Sequence, residues 1–313
     1  MRLMVPASTL SDAKALIEAG AEDIYVGATS DAFNNYSFNG RSVVAKNGKR
    51  VLPDFYELEK MCSLVHKKGG KVYFLANNPM LNGDSCDLKE KFLNYVDEGV
   101  NAGADYVILG NINTLMWVTN KYPNIKTVAS SYLEAQNEYT IKLLESFGVS
   151  QIVLSYQCNL NEIKELCNIS HAQIEVFGHG GCSFYVGSCN MFHEMGESIN
   201  IGYPCRATYD IKHEGINMQT RILDCFKMCS LCKLKELEKC GVHSLKIVGR
   251  DLPSDYILSI VKVYSAAIEQ LRGTGKLNME TLDIPKWWTR TWCLSDSNLC
   301  RYGGQYFECD NCK

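Results

Sequence analysis

The sequence predicts an α/β fold, a (β/α)8 TIM-like barrel followed by a short cysteine-rich C-terminal extension. Three observations predict it. Short β-type apolar runs recur from the first residues onward, amphipathic stretches separate most of them, and glycines stand where several of those stretches end. An open, doubly wound sheet is the alternative that the same alternation allows.

The eight runs are Leu3–Pro6, Asp23–Val26, Val72–Leu75, Tyr106–Leu109, Thr127–Ala129, Ile152–Leu154, Ile174–Phe177 and Leu245–Val248. Between them, Ser11–Ala19, Asp54–Lys68, Leu88–Ala102, Glu134–Phe147 and Asn161–Leu166 repeat apolar residues at helical spacing. Gly20, Gly69, Gly103, Gly148 and Gly241 fall where a helix C-cap needs left-handed backbone. From about Leu277 the alternation stops. The remainder carries Trp287, Trp288, Trp292 and four cysteines, so residues 1–276 are assigned to the barrel and 277–313 to the extension.

A chain of 313 residues with 46% hydrophobic content can bury one large core. Its net charge of −3 gives no general basic field for gripping a phosphate backbone. No run of signal-peptide type opens the chain, and none approaches the roughly 18 apolar residues of a membrane helix. A cytoplasmic protein without membrane insertion is expected. Of its fifteen cysteines, eleven follow residue 180. In a reducing compartment such a lopsided, odd set predicts metal binding and not a disulfide framework.

In a (β/α)8 barrel the active site lies at the C-terminal ends of the strands. Those ends carry Ser8, Asn77, Asn111, Ser130, Gln157, His179 and Arg250, a polar ring with few carboxylates. The seventh run leads directly into His179-Gly-Gly-Cys182 and then Cys189; Cys205 and Cys229 follow. Four converging thiolates suit a 4Fe-4S cluster or zinc. Zinc sites usually present closely spaced pairs, which Cys182 and Cys189 do not form, so the iron-sulfur assignment leads. A rival spacing, Cys225-x3-Cys229-x2-Cys232, is that of radical-SAM enzymes, but it precedes the last strand and does not follow the first.

The run Glu-x-Phe-x-His-Gly-x-Cys-x6-Cys from Glu175, then Pro-Cys205-Arg206, Cys229 and Ser244-Leu-Lys-Ile-Val-Gly-Arg250, resembles peptidase family U32, the collagenase-like peptidases. Met4-Val-Pro-Ala-Ser and Glu18-Ala-Gly-Ala-Glu-Asp-Ile-Tyr-Val-Gly near the start agree with it. The resemblance implies an oxygen-independent hydroxylase with a 4Fe-4S cluster. Such enzymes act on transfer RNA, ribosomal RNA or a quinone ring, some with prephenate as oxygen donor. It also implies that Cys182, Cys189 and Cys229 are cluster ligands. The family's Cys-x3-Cys-Arg has Ile201 at its first position here, so Cys205, or else Cys225, Cys232 or Cys240, completes the set. The family's common C-terminal β-domain is absent, which together with the mild acidity leans towards a small molecule or peptide over structured RNA.

A second set, Cys293, Cys300, Cys309 and Cys312, rests on spacing alone. An auxiliary 4Fe-4S cluster is favoured there, with structural zinc second. His179 and His193 are candidates for moving protons. Arg206 and Arg250 can hold a carboxylate bidentately, Arg250, at the end of the eighth strand, being also a catalytic candidate, and Asn77 is a further substrate contact. Glu175 is read as support for the cysteine loop. The leading function is an iron-sulfur oxidoreductase served by an electron-transfer partner. The alternatives are a metallopeptidase, for which no His-Glu-x-x-His is present, and a non-enzymatic electron-transfer or assembly protein.

Overall fold

The computed structural model describes residues 1–30, 52–77, 86–180, 208–220, 228–249, 253–288 and 302. Its strands are β1 (Arg2–Pro6), β2 (Asp23–Val26), β3 (Lys71–Leu75), β4 (Tyr106–Leu109), β5 (Lys126–Ala129), β6 (Gln151–Val153), β7 (Gln173–His179), β8 (Tyr209–His213), β9 (Ile216–Thr220) and β10 (Ser244–Ile247). Eight of them close into a barrel in the order β1-β10-β7-β6-β5-β4-β3-β2, every pairing parallel. Each barrel strand coincides with one of the eight apolar runs to within two residues. The barrel is closed, so the open sheet is excluded.

Around it stand α1 (Leu10–Glu18), α2 (Phe55–His66), α3 (Cys86–Asn101), α4 (Ile112–Lys121), α5 (Glu138–Ser146), α6 (Leu160–Ile169), α7 (Leu234–Lys239) and α8 (Ser254–Thr274). Thr9, Asp54, Asn111, Asn137 and Asn159 cap five of these helices by accepting a first-turn N–H. The five glycines expected to stop helices all have φ between +75° and +100°. That backbone is open to glycine at little cost and sends the chain back towards the next strand.

The sequence pattern did not disclose the antiparallel hairpin of β8 and β9. Its two-residue turn, Glu214 and Gly215, has positive φ at both positions, the geometry whose twist matches the flanking strands. Among the described residues no helix is long and apolar enough to cross a membrane.

The lumen is more polar than the branched aliphatic filling usual in such barrels. At the N-terminal end Arg2 grips Asp23 through two bonds of 2.6 Å, and the Lys71 N–H adds a third at 2.8 Å. Further up, Tyr73 donates to Gln151 (3.2 Å), and both Gln151 and Lys246 donate to Glu175, the latter at 2.8 Å. The Lys246 ammonium lies 4.5 Å from the centre of the Tyr25 ring. Glu175 is therefore held inside the barrel by Lys246 and Gln151; the cysteine loop it was read as supporting lies outside the described residues.

Two aromatic residues of the extension join the barrel core. Trp288 is fully buried, and Tyr302, also buried, donates its hydroxyl to the Phe177 carbonyl at 2.6 Å.

Candidate functional site

The end of β7 is built around a register break. Lys246 pairs with Phe177 but Ile247 pairs with His179, which leaves Gly178 as the extra residue of a bulge. Only glycine fits there, because a Cβ would stand 2.4 Å from the Leu245 side chain. After the bulge His179 meets α8 and the extension. Its Nδ1 is 3.3 Å from the Tyr264 hydroxyl, and its ring centre is 4.4 Å from that of Trp288. Burial is complete and pulls its pKa well below the usual imidazole value, so the ring is neutral at pH 7.

The segment 228–230 is laced to this strand end. The Gly180 N–H donates to the Met228 carbonyl (3.0 Å), the Ser230 N–H to the Gly178 carbonyl (2.9 Å), and His179 and Cys229 form an antiparallel bridge. Tyr264 locks the junction: its hydroxyl donates to the Gly178 carbonyl (2.8 Å), accepts from the Ser230 N–H (3.1 Å) and lies 3.7 Å from Cys229 Sγ. Cys182 stands two residues along the chain from Gly180.

Burial pushes the Cys229 thiol up to about 12, with the Leu231 N–H and the neighbouring Trp288 and Tyr264 acting in the opposite direction. Alone, this sulfur keeps its proton at pH 7. A bound metal would reverse that balance, because thiolate is the ligand form and the cation stabilises it.

Cys229 is the one described member of the barrel-mouth set. Cys182, Cys189, Cys205, Cys225, Arg206, His193 and Arg250 lie outside the described residues, as do Cys293, Cys300, Cys309 and Cys312. Among the described residues no three metal-binding side chains converge. The donor chemistry at Cys229 nevertheless fits an iron-sulfur group: a partly buried sulfur at a strand's C-terminal end, beside the entry to the segment that carries three more cysteines. Of the other candidates, Cys232 is partly buried three residues on, ahead of α7. Cys240 lies at the opposite end of α7, where it raises the pKa of Cys167 of α6.

Asn77 stands two residues beyond β3, at the mouth on another side of the barrel. It is 5% exposed, and its Oδ1 is buried without a hydrogen-bond partner among the described residues. The carboxamide lies over Gly110, where a Cβ would come within 3.0 Å of both Asn77 Oδ1 and the Tyr132 ring.

Tyr264, Lys246 and Tyr302 were not singled out from the sequence. Tyr264 sits in an amphipathic helix where an aromatic residue reads as packing, and no local signal marks its hydroxyl. Lys246 did carry a signal, a lysine inside an apolar strand, which demands a buried partner.

Comparison with known proteins places the chain among relatives. The sequence profile of peptidase family U32 matches residues 8–290. The chain is 26% identical to the 23S rRNA 5-hydroxycytidine C2501 synthase of Escherichia coli over 87% of its own length and 40% of that protein's. It is 26% identical to tRNA hydroxylation protein P2 of Bacillus subtilis, covering 85% of each chain. With tRNA hydroxylation protein P of Escherichia coli it shares 24%, covering 85% of itself and 67% of that protein. It thus spans less than half of the first of these relatives and most of the second. The solved structure of the U32 peptidase Mk0906 aligns with a TM-score of 0.52 and 14% identity, over 81% of this chain and 94% of that one, a likeness of fold. The chain belongs to peptidase family U32.

Proposed function

We propose that this protein hydroxylates RNA at the barrel mouth, beside a 4Fe-4S cluster held by Cys182, Cys189, Cys205 and Cys229. The single observation that carries the site is the lacing of Cys229 to the end of β7, three residues before Cys182. The substrate class is taken from relatives whose names record hydroxylation of ribosomal and transfer RNA. That choice reverses the earlier lean towards a small molecule or peptide over structured RNA, and an RNA substrate implies a cytoplasmic site of action.

Hydroxylation replaces a C–H by C–OH and removes two electrons from the acceptor. Without dioxygen, an oxygen donor such as a prephenate-like organic acid gives up its oxygen and takes up those two electrons. When bound, a 4Fe-4S cluster supplies low-potential electron transfer. This chain's own residues set the stage. Tyr264 fixes the strand end to which Cys229 is bridged, and the buried, neutral His179 packs against Tyr264 and Trp288 at the same junction. Arg206 and Arg250 are assigned to the acid groups of donor or substrate. The second set, from Cys293 to Cys312, is assigned to an auxiliary 4Fe-4S cluster or a structural zinc, through which an electron-transfer partner would connect. No described geometry favours a peptidase, since Glu175, the carboxylate such chemistry would want, is held by Lys246 and Gln151 inside the barrel.

The test is anaerobic purification, with iron and sulfide assays, followed by mass spectrometry of nucleosides from cells with and without the gene. About four iron and four sulfide per chain are expected for one cluster, about eight of each for two, together with a hydroxylated nucleoside that depends on the gene. A colourless protein with zinc alone, or unchanged nucleosides, would overturn the proposal.

A further inference from the structure

Building on the RNA-hydroxylase reading above, we infer that Asn77 reads the target base, its carboxamide pairing with a nucleobase edge that presents a donor beside an acceptor. The starting point is the buried Asn77 Oδ1, which no donor among the described residues reaches. A buried acceptor without a protein donor calls for a partner from outside the chain. On the barrel strands Thr127, Gln173 and Ser244 also bury side-chain oxygens without a partner, but they stand at or next to the N-terminal starts of β5, β7 and β10. Asn77 stands at the catalytic end.

Two further observations concern the space it faces. Gly110, on the neighbouring strand end, leaves clear the volume that a Cβ would take 3.0 Å from Asn77 Oδ1, so the carboxamide is seated there by the absence of a side chain. Deeper in the same lumen, Lys246 keeps 11% of its side-chain surface open although it stands on a strand of a closed barrel. Its ammonium has three N–H groups, and Glu175 takes one of them. The interior of the barrel therefore keeps a small accessible polar surface.

The chemistry of the orphan selects the ligand. A carboxylate or phosphate brings acceptors only and cannot satisfy Oδ1. A nucleobase edge brings an N–H beside a carbonyl or ring nitrogen, as in N3–H with O4 of uracil or N4–H with N3 of cytosine. An asparagine carboxamide meets that pattern with two parallel bonds. Turning the carboxamide over exchanges its oxygen and nitrogen and leaves it complementary to the same kind of edge. A base must leave its stack to enter a barrel mouth, and its Watson–Crick edge is then free to be read.

The experiment uses the full chain, purified anaerobically with its iron, a prephenate-like organic acid as oxygen donor, and RNA from cells lacking the gene. Hydroxylated nucleosides are counted for the parent, Asn77→Ala and Asn77→Asp. Iron content, visible absorbance and melting temperature are read in parallel. Both variants are expected to lose about tenfold or more of the product at parental iron content and melting temperature. Asn77→Asp keeps the size and exchanges the amide donor for a second, charged acceptor, so it decides the matter if Asn77→Ala does not fold. Parental product yield in the variants would overturn the role of Asn77 and leave RNA hydroxylation standing. No hydroxylated nucleoside from the parent would overturn the reading and this inference together.

Discussion

Cys62 and Cys229 have thiols pushed up by burial to the same value, about 12, and yet they stand in opposite kinds of surroundings. Cys62 is on α2, 2% exposed, with Gly103 close enough that a Cβ there would lie 3.2 Å from its own. Burial dominates its surroundings, with the Asp105 carboxylate adding to the rise, and a small polarisable side chain fills the gap. Cys229 sits where three backbone hydrogen-bonded elements meet, with Tyr264, Trp288 and the neutral His179 around it. Titration alone does not separate a packing cysteine from a ligand. Place does: one lies behind the barrel wall, the other at a strand's C-terminal end.

The largest expected effect is on the ligand side. Cys229→Ala should abolish the visible absorbance of the anaerobic protein and remove most of its iron, whereas Cys62→Ala should leave both unchanged. Equal iron loss in the two variants, read by metal analysis, would erase the distinction.

An intermediate effect is expected at the lock. Tyr264→Phe removes the donor to the Gly178 carbonyl and one acceptor for the Ser230 N–H, all buried, and should destabilise the fold by about 1–3 kcal/mol. Its iron content should fall only in part, because Cys229 itself remains. Denaturant unfolding with parallel iron assays separates these outcomes, and unchanged stability would mean that the junction holds without the hydroxyl.

The smallest effects belong to Cys62. Its removal should cost about 1 kcal/mol of stability. Because the folded state raises the thiol's pKa, the proton binds more tightly in the folded chain than in the unfolded one. The associated stability is complete below about pH 9 and is lost as pH rises towards about 12. The melting temperature of the parent should therefore fall more steeply than that of Cys62→Ala across that interval. Parallel slopes would show that burial of this thiol is not what the titration reflects.

Much of the architecture was legible because it is written in local patterns. β2 and β4 match their apolar runs residue for residue, and all five predicted helix-stopping glycines adopt positive φ. A strand's apolar run and a glycine's freedom are properties of a few adjacent residues, so the sequence reveals them directly. The hairpin of β8 and β9 escaped because its exposed strands carry no apolar run to mark them. The lateness of the cysteines, and the run from His179 to Cys182, likewise marked β7 as the place to look.

What the sequence could not decide is which distant side chains share a space. Tyr264 reaches Cys229 from 35 positions away, Lys246 reaches Glu175 from 71, and Tyr302 reaches Phe177 from 125. Those meetings depend on closure of the barrel and on one extra residue at Gly178, and no periodicity encodes them. The same holds at Asn77, where the sequence supplied an asparagine at a strand end. Only the packed structure buried its oxygen without a partner, because burial and the absence of a donor are properties of the whole neighbourhood and not of the residue.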